Sequence, residues 1–60
     1  MKISELIKLL KKSGCFIKRH GANHDIWYSP KTGKSFPVGR HEAQELRVKT
    51  LESIKESAGI

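Results

Sequence analysis

The sequence predicts an α+β domain in the order αβββα, with a three-stranded antiparallel sheet and two helices on one face. Two amphipathic segments at the ends and three short β-favouring segments between turn signals carry that prediction. The turns are too short for anything but antiparallel neighbours, and two apolar helix stripes must bury against one sheet face. The length of 60 residues excludes a second domain, a barrel enzyme or a dinucleotide fold. A chain of this size buries only about 60% of its unfolded surface, so a shallow site for a large charged partner is easier to build than a deep metabolite pocket.

Ile3, Leu6, Ile7 and Leu10 recur at helical spacing, with Leu9 widening the stripe. Ser4 stands where an N-cap belongs, Glu5 suits the first turn, Lys11 and Lys12 the last, and Gly14 the stop, which predicts a helix over 4–13. Cys15 to His20 reads as a strand of imperfect alternation: either Cys15 and Ile17 face the core, or Phe16 does. Gly21-Ala22-Asn23 marks a turn. In the strand His24–Ser29, His24, Ile26 and Tyr28 share one face, Asp25 and Trp27 the other. Pro30-Lys31-Thr32-Gly33 reads as a hairpin tip, followed by an edge strand, Lys34 to Val38, that Pro37 keeps from the sheet centre. After a polar connection from Gly39 to Glu45, Thr50 is expected to cap a closing helix that buries Leu51, Ile54 and Ala58 and ends at Gly59.

Twelve Lys and Arg against six Asp and Glu give a net charge of +6 and a pI near 9.8. The excess lies in residues 1–40, which makes a polyanion, most simply nucleic acid, the natural partner. Together with the αβββα order this is the arrangement of double-stranded RNA-binding domains, although fold analogy alone is weak grounds for an activity. No stretch approaches the ~18 apolar residues of a membrane span, and the interrupted N-terminus is no signal peptide. The expectation is a cytoplasmic protein without a membrane partner. The lone Cys15 fits a reducing compartment and reads as core.

Chemistry falls to the three histidines. Cys15, His20, His24 and His41 lack the spacing of a compact zinc site, and nothing in the chain calls for a metal or another cofactor. His24 opens a strand after a glycine-containing turn, at the sheet rim. With Lys18, Arg19 and Lys34 nearby, a neutral imidazole there can take a proton from a ribose 2′-hydroxyl or from water beside a bound phosphate. The plainer alternative is a strand-end histidine that only hydrogen-bonds. Lys18, Arg19, Lys34 and Arg40 are candidates for phosphate contacts. His41 is a candidate second acid–base group, if the fold brings it to His24. Trp27 or Tyr28 is available to stack a base, the other belonging to the core.

The order of these pieces resembles the HicA family of small toxins from HicA–HicB toxin–antitoxin systems. Met1-Lys2-Ile3-Ser4-Glu5-Leu6-Ile7-Lys8-Leu9-Leu10 with Gly14 is similar to the family's first helix, and Gly21-Ala22-Asn23-His24 to its glycine–histidine motif. Gly39-Arg40-His41 and Glu45-Leu46 are similar to the segment before the last helix, and Thr50-Leu51, Ile54 and Ala58-Gly59-Ile60 to its C-terminal signature. The resemblance implies a double-stranded-RNA-binding-like fold, metal-independent endoribonuclease action on mRNA, a catalytic histidine at His24 and neutralisation by a cognate HicB-like antitoxin. Gly21 and Asn23 of that motif, and His41, join Lys18, Arg19, Lys34 and Arg40 as RNA-binding candidates. Two departures stand out. Ala22 replaces the motif's serine with Asn23 inserted before His24, and Lys49 precedes Thr50 where the family often has glycine. The alternatives from other classes are a non-catalytic double-stranded RNA-binding module and a module that docks an acidic protein.

Overall fold

Helix α1 (Ile3–Lys12) leads into strands β1 (Phe16–His20), β2 (His24–Ser29) and β3 (Lys34–Gly39), and helix α2 (Val48–Ala58) closes the chain in a computed structural model that describes residues 1–60. The sheet is antiparallel in the order β1-β2-β3, so β2 is central and Pro37 lies on an edge strand, as expected. One core joins both helices to one sheet face: Ile3, Leu6 and Leu10 from α1, Ile54 and Ala58 from α2, Trp27, Phe36 and Val38 from the sheet, and Cys15 at the α1–β1 junction. This is the αβββα arrangement of the double-stranded RNA-binding fold. No helix is long and apolar enough to cross a membrane.

The alternation in β2 resolves as the sequence predicts. Trp27 (2% exposed) and Ser29 face the helices, whereas His24 is exposed and Ile26 and Tyr28 are half-buried on the open face. Neither choice offered for β1 holds in full: Cys15 is buried, but every residue from Phe16 to His20 is exposed. β1 is an edge strand of the sheet, and it carries a bulge. Ile17 pairs with Trp27 and Arg19 with Ile26, which leaves Lys18 without a partner and shifts the face of all that follows.

The helix caps fall two and three residues before the expected ones. Lys2 caps α1, with Ser4 inside the helix, because the loop before α2 folds back and satisfies the first turn with backbone. The Ile3 N–H donates to the Gln44 carbonyl and that of Ser4 to Glu42, both at 3.0 Å. Arg47 caps α2, and Thr50 lies in its first turn. The predicted stop holds: Gly59 ends α2 with φ 76°, and the hairpin end closes over it. Ser29 Oγ donates to the Ala58 carbonyl at 2.8 Å, Thr32 Oγ1 to that of Ser57, and Lys31 Nζ to that of Gly59 at 3.4 Å.

Candidate functional site

The rim where β1 turns into β2 is built by a short turn. The Gly21 N–H donates to the His24 carbonyl at 2.8 Å. A Cβ at position 21 would stand 2.7 Å from that same oxygen, so any larger residue there pushes on the backbone of His24. The role of Gly21 visible in the structure is this close approach.

Arg40, at the end of β3, holds the turn from outside. Its Nε donates to Asp25 Oδ1 at 2.9 Å, one terminal nitrogen to the Ala22 carbonyl at 3.4 Å, and the other to the Gly21 carbonyl. His20 Nδ1 donates to the same Asp25 oxygen at 2.7 Å. The hydrogen bond from His20 and then that from Arg40 hold the Asp25 carboxyl below the usual carboxylate range. Arg40 is therefore a clamp on the turn first, with its remaining donors facing solvent. His20, for which the sequence offered no role, is the second anchor of the chain's one aspartate.

His24 sits where two clefts meet. The first, about 430 Å³, is lined by Ala22, Asn23, His24, Gly39, Arg40, His41 and Gln44. His41 and Asn23 thus line the same cleft as His24. The second, about 310 Å³, runs past Pro37 and Gly39 to the start of α2, where Gln44, Arg47 and Thr50 line it. The unpaired N–H groups of a first helical turn give that end a partial positive charge. The loop that carries His41 and Gln44 is pinned to α1. The α-amino group pairs with Glu45 at 3.0 Å, the Leu46 N–H donates to the Met1 carbonyl, and Lys2 bridges Glu45.

The other expected phosphate contacts lie elsewhere. Lys34 pairs with Ser29 at the far end of the hairpin, five positions from the His24–Gly39 pair, or about 17 Å at strand rise. Lys18 and Arg19 line a separate cavity of about 320 Å³ with Ile26 and Ser35 on the open sheet face. Arg47, Thr50 and Gln44 were not foreseen as neighbours of His24. Arg47 and Lys49, just before Thr50, are the signal in the sequence for the cationic start of α2. No three His, Cys, Asp or Glu side chains stand close enough together to hold a metal ion.

Among curated proteins and solved structures, none matches this chain. One family does: its sequence model, described as HicA toxin of bacterial toxin–antitoxin, matches residues 3–60. That span takes in both helices, the whole sheet and both clefts at His24, so the chain belongs to the HicA family of toxins from bacterial toxin–antitoxin systems.

Proposed function

We propose that the protein is the RNA-cleaving toxin of such a pair, with His24 as the group that moves the proton. What carries this reading is the placement of His24, exposed on the sheet rim and opening on both clefts, with His41 and Arg40 on one side and Arg47 and Thr50 on the other. His24 takes the proton of the attacking hydroxyl, from a ribose 2′ position or from water. The oxygen closes on phosphorus as the bond to the departing oxygen breaks, and His41 returns a proton to that leaving group. Arg47, the start of α2 and the free donors of Arg40 face the charge that builds on the phosphate oxygens. The reaction runs on side chains, so a chelator leaves its rate unchanged. A cognate antitoxin silences it by covering these clefts.

The test is expression of the parent and His24→Ala side by side, following growth, transcript integrity and antitoxin binding. The variant is expected to lose growth arrest and cleavage while keeping its fold and its antitoxin. Cleavage by His24→Ala at the parental rate ends the assignment. Tight binding of duplex RNA without cleavage by the parent favours a non-catalytic binding module.

A further inference from the structure

The open face of the sheet carries a second feature, remote from the two clefts. The bulge at Lys18 breaks the alternation of β1, so Lys18 and Arg19, which strict alternation would set on opposite faces, both reach the same side. Lys18 Nζ lies 5.7 Å from the centroid of the Tyr28 ring. Phe16, 49% exposed, packs beside Tyr28 with centroids 5.5 Å apart and the planes tilted by 51°. Phe16, Lys18 and Tyr28 enclose a shallow cavity of about 350 Å³, next to the one shared by Lys18, Arg19, Ile26 and Ser35. No carboxylate lines either cavity, and neither Lys18 nor Arg19 forms an ion pair.

A half-exposed aromatic pair is costly to leave in water and has no packing role in the core, which lies on the opposite face. Its chemistry is that of single-stranded nucleic acid: planar faces on which an unpaired base stacks, flanked by cations for the phosphates on either side. Tyr28 lies four residues from His24 along β2, or about 13 Å at strand rise. A few nucleotides of an RNA strand cover that distance.

We infer that the Phe16–Tyr28 platform with Lys18 and Arg19 is a binding site for single-stranded RNA, holding one stacked base while the strand continues along β2 toward His24. The inference rests on the ribonuclease reading for the direction of the strand. It deepens that reading by naming an unpaired strand as the substrate class, because bases inside a duplex have no free face to offer the platform.

The experiment measures binding of a short fluorescein-labelled single-stranded RNA, and of its duplex, by anisotropy with non-cleaving His24→Ala protein. Tyr28→Leu is expected to weaken single-strand binding about 5- to 100-fold while Tyr28→Phe binds as the parent does. Changing Lys18 and Arg19 together to Gln is expected to flatten the salt dependence of log K by about 1.4, the share of two phosphates. The duplex is expected to bind more weakly and to ignore Tyr28→Leu. If Tyr28→Leu destabilises the protein, judged by the fluorescence of buried Trp27, Phe16→Leu on the edge strand makes the same test with an expected loss of binding. Equal binding by parent and the Leu variants, or equal binding of duplex and single strand, overturns the proposal. So does a loss confined to an acidic protein partner. The two readings fail separately. Cleavage that depends on His24 with a platform indifferent to Tyr28→Leu removes the platform alone, and a working platform with cleavage that survives His24→Ala removes the catalytic assignment alone.

Discussion

Ser29 is the one buried polar side chain, wholly enclosed, and its Oγ donates at 2.8 Å to the carbonyl of Ala58, which is equally enclosed. Replacing Ser29 with Ala removes the donor and leaves a helix C-terminal carbonyl buried without a partner. An orphaned buried group of that kind costs about 1–3 kcal/mol. A domain of 60 residues has only about 3–9 kcal/mol to lose at the usual stability per residue. At ~4–8 °C per kcal/mol for a domain this small, Ser29→Ala is expected to lower the melting temperature by about 5–20 °C. Trp27 is the only tryptophan and is buried, so its emission reports the transition directly. Ser29 lies at the opposite end of β2 from His24, so RNA cleavage measured well below both melting temperatures is expected to be unchanged. A melting temperature within about 2 °C of the parent would refute the reasoning, because it would mean that the carbonyl finds water or another donor.

Gly59→Ala is expected to lower the urea midpoint. The site has φ 76°, and a Cβ there stands 2.8 Å from Thr32 Cγ2 and 3.1 Å from Lys31 Cδ; adding Thr32→Ser, which removes the nearer methyl, recovers part of the loss, and an unchanged midpoint in Gly59→Ala itself contradicts the account. Asp25, held below the usual carboxylate range, contributes stability that is fully present above its unfolded value of about 3.9 and is lost as pH falls through its lower folded value. Asp25→Asn is therefore expected to melt below the parent at neutral pH, with the gap closing on acidification through that range; a gap that stays constant with pH speaks against the His20–Asp25–Arg40 linkage.

The order of elements was legible because it rests on local signals. Apolar spacing of three and four marked the helices, and Pro30 to Gly33 marked the hairpin tip. The helix starts were not, because partners distant in sequence decide them. Ser4 has the chemistry of a cap, yet the carbonyls of Glu42 and Gln44 serve the first turn of α1, so the helix starts earlier at no cost in unpaired donors. Thr50 likewise becomes a first-turn residue facing a cleft. In the site, the turn at Gly21 and the exposed position of His24 followed from sequence. The hydrogen bonds of Arg40 did not: a cation near the candidate site looks the same in sequence whether or not it also holds the turn, and only the contacts to Gly21, Ala22 and Asp25 reveal the clamp. The distance of Lys34 from His24 was hidden for a related reason. Pairing in an antiparallel hairpin places its first residue beside the end of the preceding strand, here Ser29, and so away from His24.

The location of the bulge follows from what each strand carries. Along β2, His24, Ile26 and Tyr28 alternate with Asp25, Trp27 and Ser29, and each set is committed to its face. One carries the exposed rim histidine and the aromatic pair, the other the turn anchor, the largest core side chain and the tie to α2. A single extra residue within β2 would exchange part of the two sets, turning Trp27 to solvent or His24 inward. In β1 every side chain is exposed, so an inserted residue there costs no burial. It brings Lys18 and Arg19 to one side and sets His20 opposite Asp25, where its ring holds the carboxylate that Arg40 also binds. The irregularity that blurred the alternation of the first strand is thus what aligns its cations with the open face and its histidine with the turn, while the central strand keeps an unbroken register between the core and the candidate site.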